Sequence, residues 1–575
     1  MRESNDNYNE LRVAAAVFFL IALVITGRLF YLQIWQYNYY STFALSTHEI
    51  YRKLHPERGA LYFQDTRTGA QYPVAINRTY YLVYAVPNEI KPTDVASTTK
   101  RLLEILDLTD TEKATLPGKI GKGDDPYEQV AKKQTEETIN KLKAVGATGI
   151  YWTGQTYRYY PEGELGGNVL GFCRQDDSGN LRGSYGLEGY WDKTLTGSAG
   201  FMFGEAGAKG GWIASAGRQS VESTNGSDLL LTIDRSLQNN ACAALRAGWE
   251  KFEAKSGALI LMDPRTGGIL ALCSYPDFDP NNYSKVDDQA AFNDTAIFSA
   301  YEPGSVIKTM TMSAGVDLGL VDYSTTFVDP GVRKIDNFEI HNAQDKSYGR
   351  ATMTQVLENS INTGAVWVEE RVGHPRYKDY LEKFGFGEKT GVDISTEVGG
   401  DLSNLDKKGD IYGATASFGQ GIMATPLQVA AAYAAIANGG NYIRPHVVAE
   451  IRHADGSKQK IQPEIVNTVM SARAAKIITG MLVSVVEKGH GKPARLPNYF
   501  LAGKTGTAQI AAKGGFLEDD TNHTFAGFAP ADNPRLVLVV KYEKPKSAWA
   551  EATTAPVFKE VMQFALNYYG IAEER

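Results

Sequence analysis

Ser305 and Lys308 have the types and the spacing of a nucleophile and its base, and they follow directly after Pro303 and Gly304. The Pro-Gly pair ends a loop, and the run 305–318 predicts a helix, so both side chains lie on one helix face. A serine becomes a nucleophile when a base takes its proton, and a neutral lysine can be that base. Burial and the helix macrodipole both lower the pKa of such a lysine. The helix start also offers free N–H groups for an oxyanion.

A Ser-x-x-Lys pair alone is weak, because the chain contains a second one, Ser457–Lys460, in what reads as a polar hairpin tip. Two further motifs strengthen the first pair. Ser360–Asn362 lies between two helical segments, and Lys504–Thr507 lies in an apolar strand. Other matches to these two motifs occur in turn-like or glycine-rich contexts, at 178–180, 223–225 and 389–391. Three motifs in this order, each in suitable local structure, make a strong signal.

Length and composition indicate a multidomain globular protein. The chain has 575 residues, 43% of them hydrophobic and 22% charged, which is too long for one core. A net charge of −7 without a strongly basic run excludes a nucleic-acid footprint. The 3 cysteines have no metal-ligand spacing, and two lie in apolar segments, where cysteine usually acts as a small buried hydrophobe. No metal and no cofactor are therefore expected.

An apolar run near the N-terminus predicts a membrane helix. Val13 to Ile25 is unbroken and extends to Leu32, about 20 residues in all, enough to span a bilayer. The rival interpretation is a cleaved signal peptide, but no small-x-small site follows the run. We expect a cytoplasmic tail at 1–12 and an uncleaved anchor at 13–34, with Arg28 near one end.

The rest of the chain divides by composition into two parts. Residues 45–216 read as a strand-rich pedestal with helices predicted at 93–108 and 126–145, and polar residues 217–228 read as a linker. Residues 229–570 begin and end with apolar strands and have helices between them. This pattern predicts an α+β domain whose antiparallel sheet uses both ends of the domain. The fold class is therefore multidomain α+β behind a single transmembrane helix.

The chain resembles class B penicillin-binding proteins. Ser-x-x-Lys, Ser-x-Asn and Lys-Thr-Gly in this order are the signature of serine penicillin-binding proteins and β-lactamases. The strings RYYPEGELGGNVLGF, GLEGYWDKTLTG, FGQGIMATPLQVAAAYAAIANGG and HTFAGFAPADNPRLVLVV add to the resemblance. It implies a pedestal, usually called the dimerisation domain, and a D,D-transpeptidase domain of the serine β-lactamase type. That domain would lie outside the cytoplasmic membrane, cross-link peptidoglycan stem peptides and be acylated by β-lactams.

The resemblance also implies roles for the first two motifs. Ser305 would attack the penultimate D-Ala carbonyl of a donor pentapeptide and expel the terminal D-Ala. Lys308 would be the general base. Ser360 could relay a proton to the leaving amine, and Asn362 could hold Lys308 and a substrate amide.

The third motif would bind the donor. Lys504 supplies positive charge near the substrate carboxylate, and Thr505 and Thr507 supply hydroxyls. Gly506 permits close approach of the backbone on an edge strand, where an extended peptide can add as a further strand. Backbone N–H groups of Ser305 and Thr507 would form the oxyanion hole.

Alternatives to a transpeptidase remain open. A D,D-carboxypeptidase or β-lactamase would use water in place of the amine, and a third interpretation is a non-catalytic cell-wall scaffold. A signalling β-lactam receptor would need a cytoplasmic effector, for which residues 1–12 leave no room. The expected partner is a multi-span membrane glycosyltransferase that contacts the anchor and the pedestal. A division role is weakly favoured over an elongation role.

Overall fold

The computed structural model describes residues 4–35, 49–176, 179–205, 219–512 and 515–575. Parts of the predicted tail (1–12), pedestal (45–216) and linker (217–228) lie outside these residues. The chain forms two compact units, Met1–Pro56 with Gly197–Asn225 and Glu57–Thr196 with Gly226–Arg575.

The elements are numbered along the chain. The strands are β1 (Glu49–Leu54), β2 (Leu61–Gln64), β3 (Gln71–Ala85), β4 (Glu128–Gln134), β5 (Ile150–Tyr159), β6 (Phe172–Gln175), β7 (Leu181–Ser184), β8 (Gly200–Glu205), β9 (Gln219–Val221), β10 (Asp228–Asp234), β11 (Ser256–Met262), β12 (Ile269–Tyr275), β13 (Thr326–Asp329), β14 (Val332–Ile335), β15 (Phe338–His341), β16 (Gly349–Thr352), β17 (Asn441–Ile443), β18 (Val448–Arg452), β19 (Lys458–Lys460), β20 (Ile465–Thr468), β21 (Ala502–Ala512), β22 (Gly515–Ala529) and β23 (Leu536–Glu543). The helices are α1 (Ser4–Phe30), α2 (Val95–Ile105), α3 (Asp110–Ile120), α4 (Glu136–Val145), α5 (Gly167–Leu170), α6 (Gly186–Tyr190), α7 (Asp192–Thr196), α8 (Arg235–Lys251), α9 (Thr295–Phe298), α10 (Lys308–Asp317), α11 (Met353–Glu358), α12 (Asn362–Val372), α13 (His374–Lys383), α14 (Asp410–Ala416), α15 (Pro426–Ala437), α16 (Ala472–Lys488) and α17 (Ala550–Tyr568).

The first unit contains α1 and a three-stranded sheet of order β1-β8-β9. Helix α1 continues into a π-helical turn at Tyr31–Trp35. Within these two elements, Ala15–Ile34 has a mean hydropathy of 2.2 and is not buried by the rest of the protein. Its length and composition are sufficient for one membrane crossing, as the sequence predicts.

In the second unit a single sheet joins the pedestal to the strands that follow the predicted linker. Its order is β19-β18-β10-β2-β3-β4, with β5 also paired to β3. Strand β10 lies parallel to β2 and antiparallel to β18. Strand β9 occupies part of the predicted linker 217–228. The pedestal and the domain that follows it therefore share one sheet. The predicted limits 45–216, 217–228 and 229–570 stay predictions.

The helix predicted at 126–145 is confirmed only in its second half. Residues 126–145 form strand β4 followed by helix α4. Strand β4 pairs with β3, and Thr135 caps α4 by accepting a hydrogen bond from Thr138 N. A capping threonine in the middle of the segment separates the two elements, and the pairing of β4 with β3 outweighs its helix propensity.

A buried ionic cluster ties the pedestal together. The Glu188 carboxylate, on α6, accepts hydrogen bonds from Arg58 Nε at 2.8 Å and from Arg158 Nε at 2.6 Å. Its side chain is fully buried. Burial alone raises the pKa of Glu188, but the charges of Arg158 and Arg58 reverse this effect and lower the pKa to about 2. Three segments far apart in sequence thus meet at one carboxylate.

Replacing Glu188 with glutamine should destabilise the fold by about 3 kcal/mol, since removing one charge leaves two guanidinium groups buried without a counterion. Urea unfolding of the full chain measures this difference. The matched control is Glu104→Gln on the exposed face of α2, which should change stability by less than about 0.5 kcal/mol. Equal effects of the two substitutions would contradict a structural role for the cluster.

The core of the second unit is an antiparallel five-stranded sheet of order β12-β11-β23-β22-β21. Alternate residues of β23 pack into two different hydrophobic clusters: Val537 and Val539 face one, and Leu538 and Val540 face the other. Helix α15 covers the first face, and α8 and α17 cover the second. The predicted α+β fold with a sheet built from both ends of the domain is confirmed. Strand β21 lies at the edge of the sheet.

The cysteines depart from expectation. Cys242 of α8 and Cys273 of β12 form a disulfide, so these two are not simple buried hydrophobes. Cys173 is free and buried, and its thiol donates to Glu188 Oε2 at 3.1 Å. Spacing in the sequence could not pair them, because the partners are 31 residues apart on elements that meet only after the sheet forms.

Candidate active site

Ser305 lies in a tight turn ahead of its helix. Residues Gly304–Ile307 form a 3-10 turn, and α10 begins only at Lys308. The predicted helix therefore starts three residues later than expected. Gly304 has φ +62°, a left-handed conformation that favours glycine. The chain thus bends sharply before the serine, and Ser305 stays partly exposed between buried neighbours.

Gly419 holds this turn from the opposite side. The Gly304 N–H donates to Gly419 O at 3.0 Å. Gly419 has φ +84°, and a Cβ there would lie 2.2 Å from Gly304 O. The glycine belongs to the Phe-Gly-Gln-Gly string, to which the sequence analysis assigned no residue role. Two glycines that alternate with Gln420 were the available signal for a close backbone approach.

Gly419→Ala should lower the rate of acylation by a β-lactam by about 10²-fold, because the new Cβ displaces the turn that carries Ser305. Gly480→Ala is the matched control, since nothing lies within 4 Å of a Cβ at that exposed helical position. Stopped-flow acylation of both variants, with Tm recorded alongside, separates the local effect from unfolding. An acylation rate for Gly419→Ala equal to that of the control would contradict this role.

Lys308 is buried behind the nucleophile turn and bonded to the second motif. Its Nζ donates to Ser360 O at 2.5 Å, to Ser360 Oγ at 3.1 Å and to Asn362 Oδ1 at 2.6 Å. Asn362 Nδ2 in turn donates to His341 O at 2.8 Å, which fixes the orientation of the amide. Asn362 therefore holds Lys308 and is itself held by the last residue of β15.

Lys504 approaches the same serine hydroxyl from the sheet. Its Nζ lies 3.1 Å from Ser360 Oγ and 2.9 Å from Thr505 O. Burial lowers the pKa of Lys504 to about 7, although Glu551 acts in the opposite direction. Burial, and then the charge of Lys504, lower the pKa of Lys308 well below its usual value. Both lysines are thereby biased toward the neutral amine, whereas the three hydrogen bonds donated by Lys308 describe its protonated form.

Ser360 is placed by a strained connection between two helices. It has φ +54°, uncommon for a residue with a Cβ, and it stands between the end of α11 and the start of α12. The buried Ile361 anchors the connection beside it. Strain of this kind persists where surrounding structure holds it and is typical of functional sites. Here it directs one hydroxyl toward two lysines.

The third motif lies on the free edge of the sheet, against the nucleophile turn. A Cβ at Gly506 would lie 2.9 Å from Pro303 O, so glycine is what allows β21 to approach. Thr505 is buried, and Thr507 is partly exposed. Thr507 Oγ1 accepts a hydrogen bond from Ala550 N at 3.1 Å, so its own proton points elsewhere. The start of α17 was not anticipated as a support for this threonine.

The other motif matches lie away from this arrangement. Ser457–Lys460 belongs to the hairpin of β18 and β19. Thr390 of the Lys-Thr-Gly match binds Glu397 through both its hydroxyl and its amide, which is a structural role. In the part of the chain that the structure describes, no group of three or more His, Cys, Asp or Glu side chains could hold a metal ion.

Comparison with known proteins identifies the family. Residues 257–563 match the penicillin binding protein transpeptidase domain, and residues 53–231 match the penicillin-binding protein dimerisation domain. The chain is 31% identical to Stage V sporulation protein D of Bacillus subtilis over 99% of this chain and 88% of that protein. It is 31% identical to the peptidoglycan D,D-transpeptidase MrdA of Acinetobacter baumannii over 95% and 86% of the two chains.

Solved structures agree with this result. The crystal structure of penicillin-binding protein 3 from Mycobacterium tuberculosis, complexed with aztreonam, superposes with a TM-score of 0.69 at 26% identity. That comparison covers 91% of this chain and 98% of the other. The chain therefore belongs to the penicillin-binding protein transpeptidase family, in the form that carries a dimerisation domain.

Proposed function

We propose that the protein is a peptidoglycan D,D-transpeptidase in which Ser305 is the acylated nucleophile. The observation that carries this assignment is the Ser360 hydroxyl between two buried lysines, directly behind the Ser305 turn. Because the Ser360 oxygen accepts hydrogen bonds from both Lys308 and Lys504, the Ser360 proton remains available for transfer. That arrangement suits proton transfer at the neighbouring Ser305, and the chain matches the transpeptidase family, whose reaction is an acyl transfer.

Acylation follows from the positions of these groups. The lone pair of neutral Lys308 takes the Ser305 proton while Oγ forms a bond to the penultimate D-Ala carbonyl carbon. The backbone N–H groups of Ser305 and Thr507 hold the oxyanion, a contribution of about 3–4 kcal/mol per donor in comparable enzymes. The C–N bond to the terminal D-Ala then breaks. Its nitrogen takes the proton that Lys308 received, passed through Ser360.

Substrate recognition is assigned to the edge strand. The donor peptide adds to the free side of β21 as a further strand, with its terminal carboxylate near the Lys504 ammonium and the hydroxyls of Thr505 and Thr507. The second Nδ2 hydrogen of Asn362 holds a substrate amide oxygen. A β-lactam enters the same way, but its leaving nitrogen stays tethered after the ring opens, so the ester persists.

Transpeptidation requires that an amine resolves the ester. The acceptor nitrogen bonds to the acyl carbon, the Ser305 ester bond breaks, and Ser305 regains a proton as the amine loses one. Supplying a donor peptide with and without an amine acceptor tests this step: the proposal predicts a cross-linked product and slow D-Ala release without the amine. Fast D-Ala release with water alone, unaffected by the amine, would instead identify a carboxypeptidase or β-lactamase.

The pH dependence of kcat/KM should be bell-shaped for the wild type. Activity rises with pH as Lys308 loses its proton, since the neutral amine is the base. It falls near pH 7 as Lys504 loses the charge that binds the carboxylate, because its pKa is lowered to about 7. In Lys504→Arg the guanidinium stays charged. The decrease in kcat/KM at alkaline pH should therefore disappear, even if the maximal kcat/KM is lower than that of the wild type. An alkaline limb that persists in this variant would contradict the assignment.

We also propose that the protein is a single-pass protein of the cytoplasmic membrane. Helix α1 anchors the chain, residues 1–12 stay in the cytoplasm, and the catalytic unit faces the outside of the cytoplasmic membrane. A Cys242–Cys273 disulfide is in keeping with an oxidising compartment. A multi-span glycosyltransferase that supplies glycan strands is the proposed partner, with the anchor and the pedestal (45–216) as contact surfaces. The domain limits 217–228 and 229–570 belong to the same proposal.

A further inference from the structure

Asp329, the last residue of β13, is a buried carboxylate that the mechanism above does not use. The residue is only 2% exposed. Its Oδ1 accepts hydrogen bonds from Thr363 Oγ1 at 2.5 Å, from Gly331 N at 2.9 Å and from Asn342 Nδ2 at 3.1 Å. Its Oδ2 accepts from Tyr348 N at 2.7 Å and from Asn342 Nδ2 at 2.9 Å. One carboxylate thus joins β13, the segment that contains β14 and β15, and helix α12.

Two of these donors lie next to residues of the active site. Asn342 directly follows His341, and Thr363 directly follows Asn362. The hydrogen bond from Asn362 Nδ2 to His341 O, which orients the Asn362 amide, is therefore held on both sides. Asn342 Oδ1 also accepts a hydrogen bond from Thr363 N at 3.2 Å. Asp329, Asn342 and Thr363 thus form a closed, buried set of hydrogen bonds that fixes the end of β15 against the start of α12.

The position of Asn362 affects the protonation of Lys308. The Lys308 Nζ donates to three acceptor atoms, and one of them is Asn362 Oδ1 at 2.6 Å. An ammonium has three hydrogens to donate and a neutral amine has two, so the full set of acceptors favours the ammonium. Lys504, the charged group that faces Lys308, acts in the opposite direction. Loss of the Asn362 acceptor should therefore lower the pKa of Lys308 further and make it a weaker base.

The contacts of Asp329 require a carboxylate. Each oxygen faces at least one backbone N–H donor, Gly331 N on Oδ1 and Tyr348 N on Oδ2. In asparagine an NH2 group would replace one oxygen, and in either orientation it would face one of these donors. Burial alone would raise the pKa of Asp329, but the Thr363 hydroxyl and the two backbone amides outweigh burial and lower the pKa below its ordinary value.

We propose that Asp329 is a positioning residue of the active site, which acts on the Lys308 amine through Asn362. It holds the end of β15 against the start of α12, so that His341 O keeps the Asn362 amide oriented toward the amine. This inference rests on the proposed function, because it depends on Lys308 as the base that takes the Ser305 proton.

The test measures stopped-flow acylation of the full-length protein by a β-lactam across the pH range of the acid limb. In Asp329→Asn we expect the acylation rate constant to fall by about tenfold or more, because a small displacement of a positioned group costs much of the rate. The acid limb should also move to lower pH, because Lys308 loses an acceptor that favours its ammonium. Intact-mass measurement after a long reaction should still show complete labelling, as expected of a folded variant.

A second pair of variants keeps the test decisive if Asp329→Asn does not fold. Thr363→Val removes the hydroxyl that donates to Asp329, and it should lower the rate constant roughly threefold and move the acid limb in the same direction. Thr363→Ser keeps the hydroxyl and should restore most of the rate. Asp322→Asn is the matched control, because this exposed carboxylate makes its hydrogen bonds to Ser324 and Thr325 in the turn before β13. It should leave the rate constant and the acid limb as in the wild type.

Two results would overturn the inference. One is a rate constant for folded Asp329→Asn or for Thr363→Val that equals that of Asp322→Asn. The other is a lower rate constant with an unmoved acid limb, which is the result expected of a purely structural loss. Wild-type protein that is folded but never labelled by the β-lactam would instead contradict the proposed function, and the inference with it.

Discussion

Ser305→Ala should abolish D-Ala release and stop covalent labelling by a fluorescent penicillin. Removing the nucleophile of a serine hydrolase lowers kcat by a factor on the order of 10⁶. We expect a loss of this size because the hydroxyls of Ser360 and Thr507 are already engaged by neighbouring groups. Neither lies in the sharp turn after Gly304 that presents Ser305.

The chain supplies a matched control for this experiment. Ser457→Ala removes the serine of the second Ser-x-x-Lys pair, which lies at a hairpin tip, and should leave labelling and turnover unchanged. Stability should be nearly the same in both variants, since Ser305 is partly exposed. Persistent labelling of a folded Ser305→Ala protein would place the nucleophile elsewhere.

Lys308→Met should lower the acylation rate constant by a factor on the order of 10²–10⁴, the range for loss of a general base. Methionine fills nearly the same volume, so the buried site around α10 stays packed. The loss should be kinetic because no other group replaces the amine: in the proposed mechanism Lys504 is the cation that binds the carboxylate. The acid limb of the pH profile should disappear with Lys308.

Stopped-flow acylation from pH 5 to 9 measures both effects. Lys460→Met, in the exposed strand β19, serves as the control and should follow the wild type. An acid limb that is retained in Lys308→Met would mean that another group takes the Ser305 proton. An unchanged rate constant at all pH values would exclude Lys308 as the base.

The sequence predicts the central sheet and the order of the motifs well, for identifiable reasons. Apolar strands at both ends of residues 229–570 satisfy their backbone hydrogen bonds by pairing with one another and bury their two faces against helices, as β11, β12 and β21–β23 do. The Lys-Thr-Gly motif is placed on an edge strand as expected. Lys308 and Asn362 are each the first residue of a helix, as the sequence approximately predicts, whereas Ser305 lies in the 3-10 turn before α10.

Other features depend on contacts that local patterns do not encode. Gly419 supports the turn that carries Ser305 from more than 100 residues away in sequence. The only local sign of this close backbone approach is a second glycine nearby, Gly421. The pairing of β10 with β2 crosses the predicted linker, and parallel pairing over such a distance leaves no signal in either strand. The strand at 128–134 has helix-favouring residues, and tertiary pairing with β3 overrides them.

The most direct measurement is mass spectrometry of the membrane-anchored protein after reaction with a β-lactam. The intact mass should rise by one β-lactam, and proteolysis should place the adduct on the peptide that contains Ser305 and Lys308, on the Ser305 oxygen. An adduct on any other residue, or a protein that forms none while it stays folded, would contradict the assignment of Ser305 as the nucleophile.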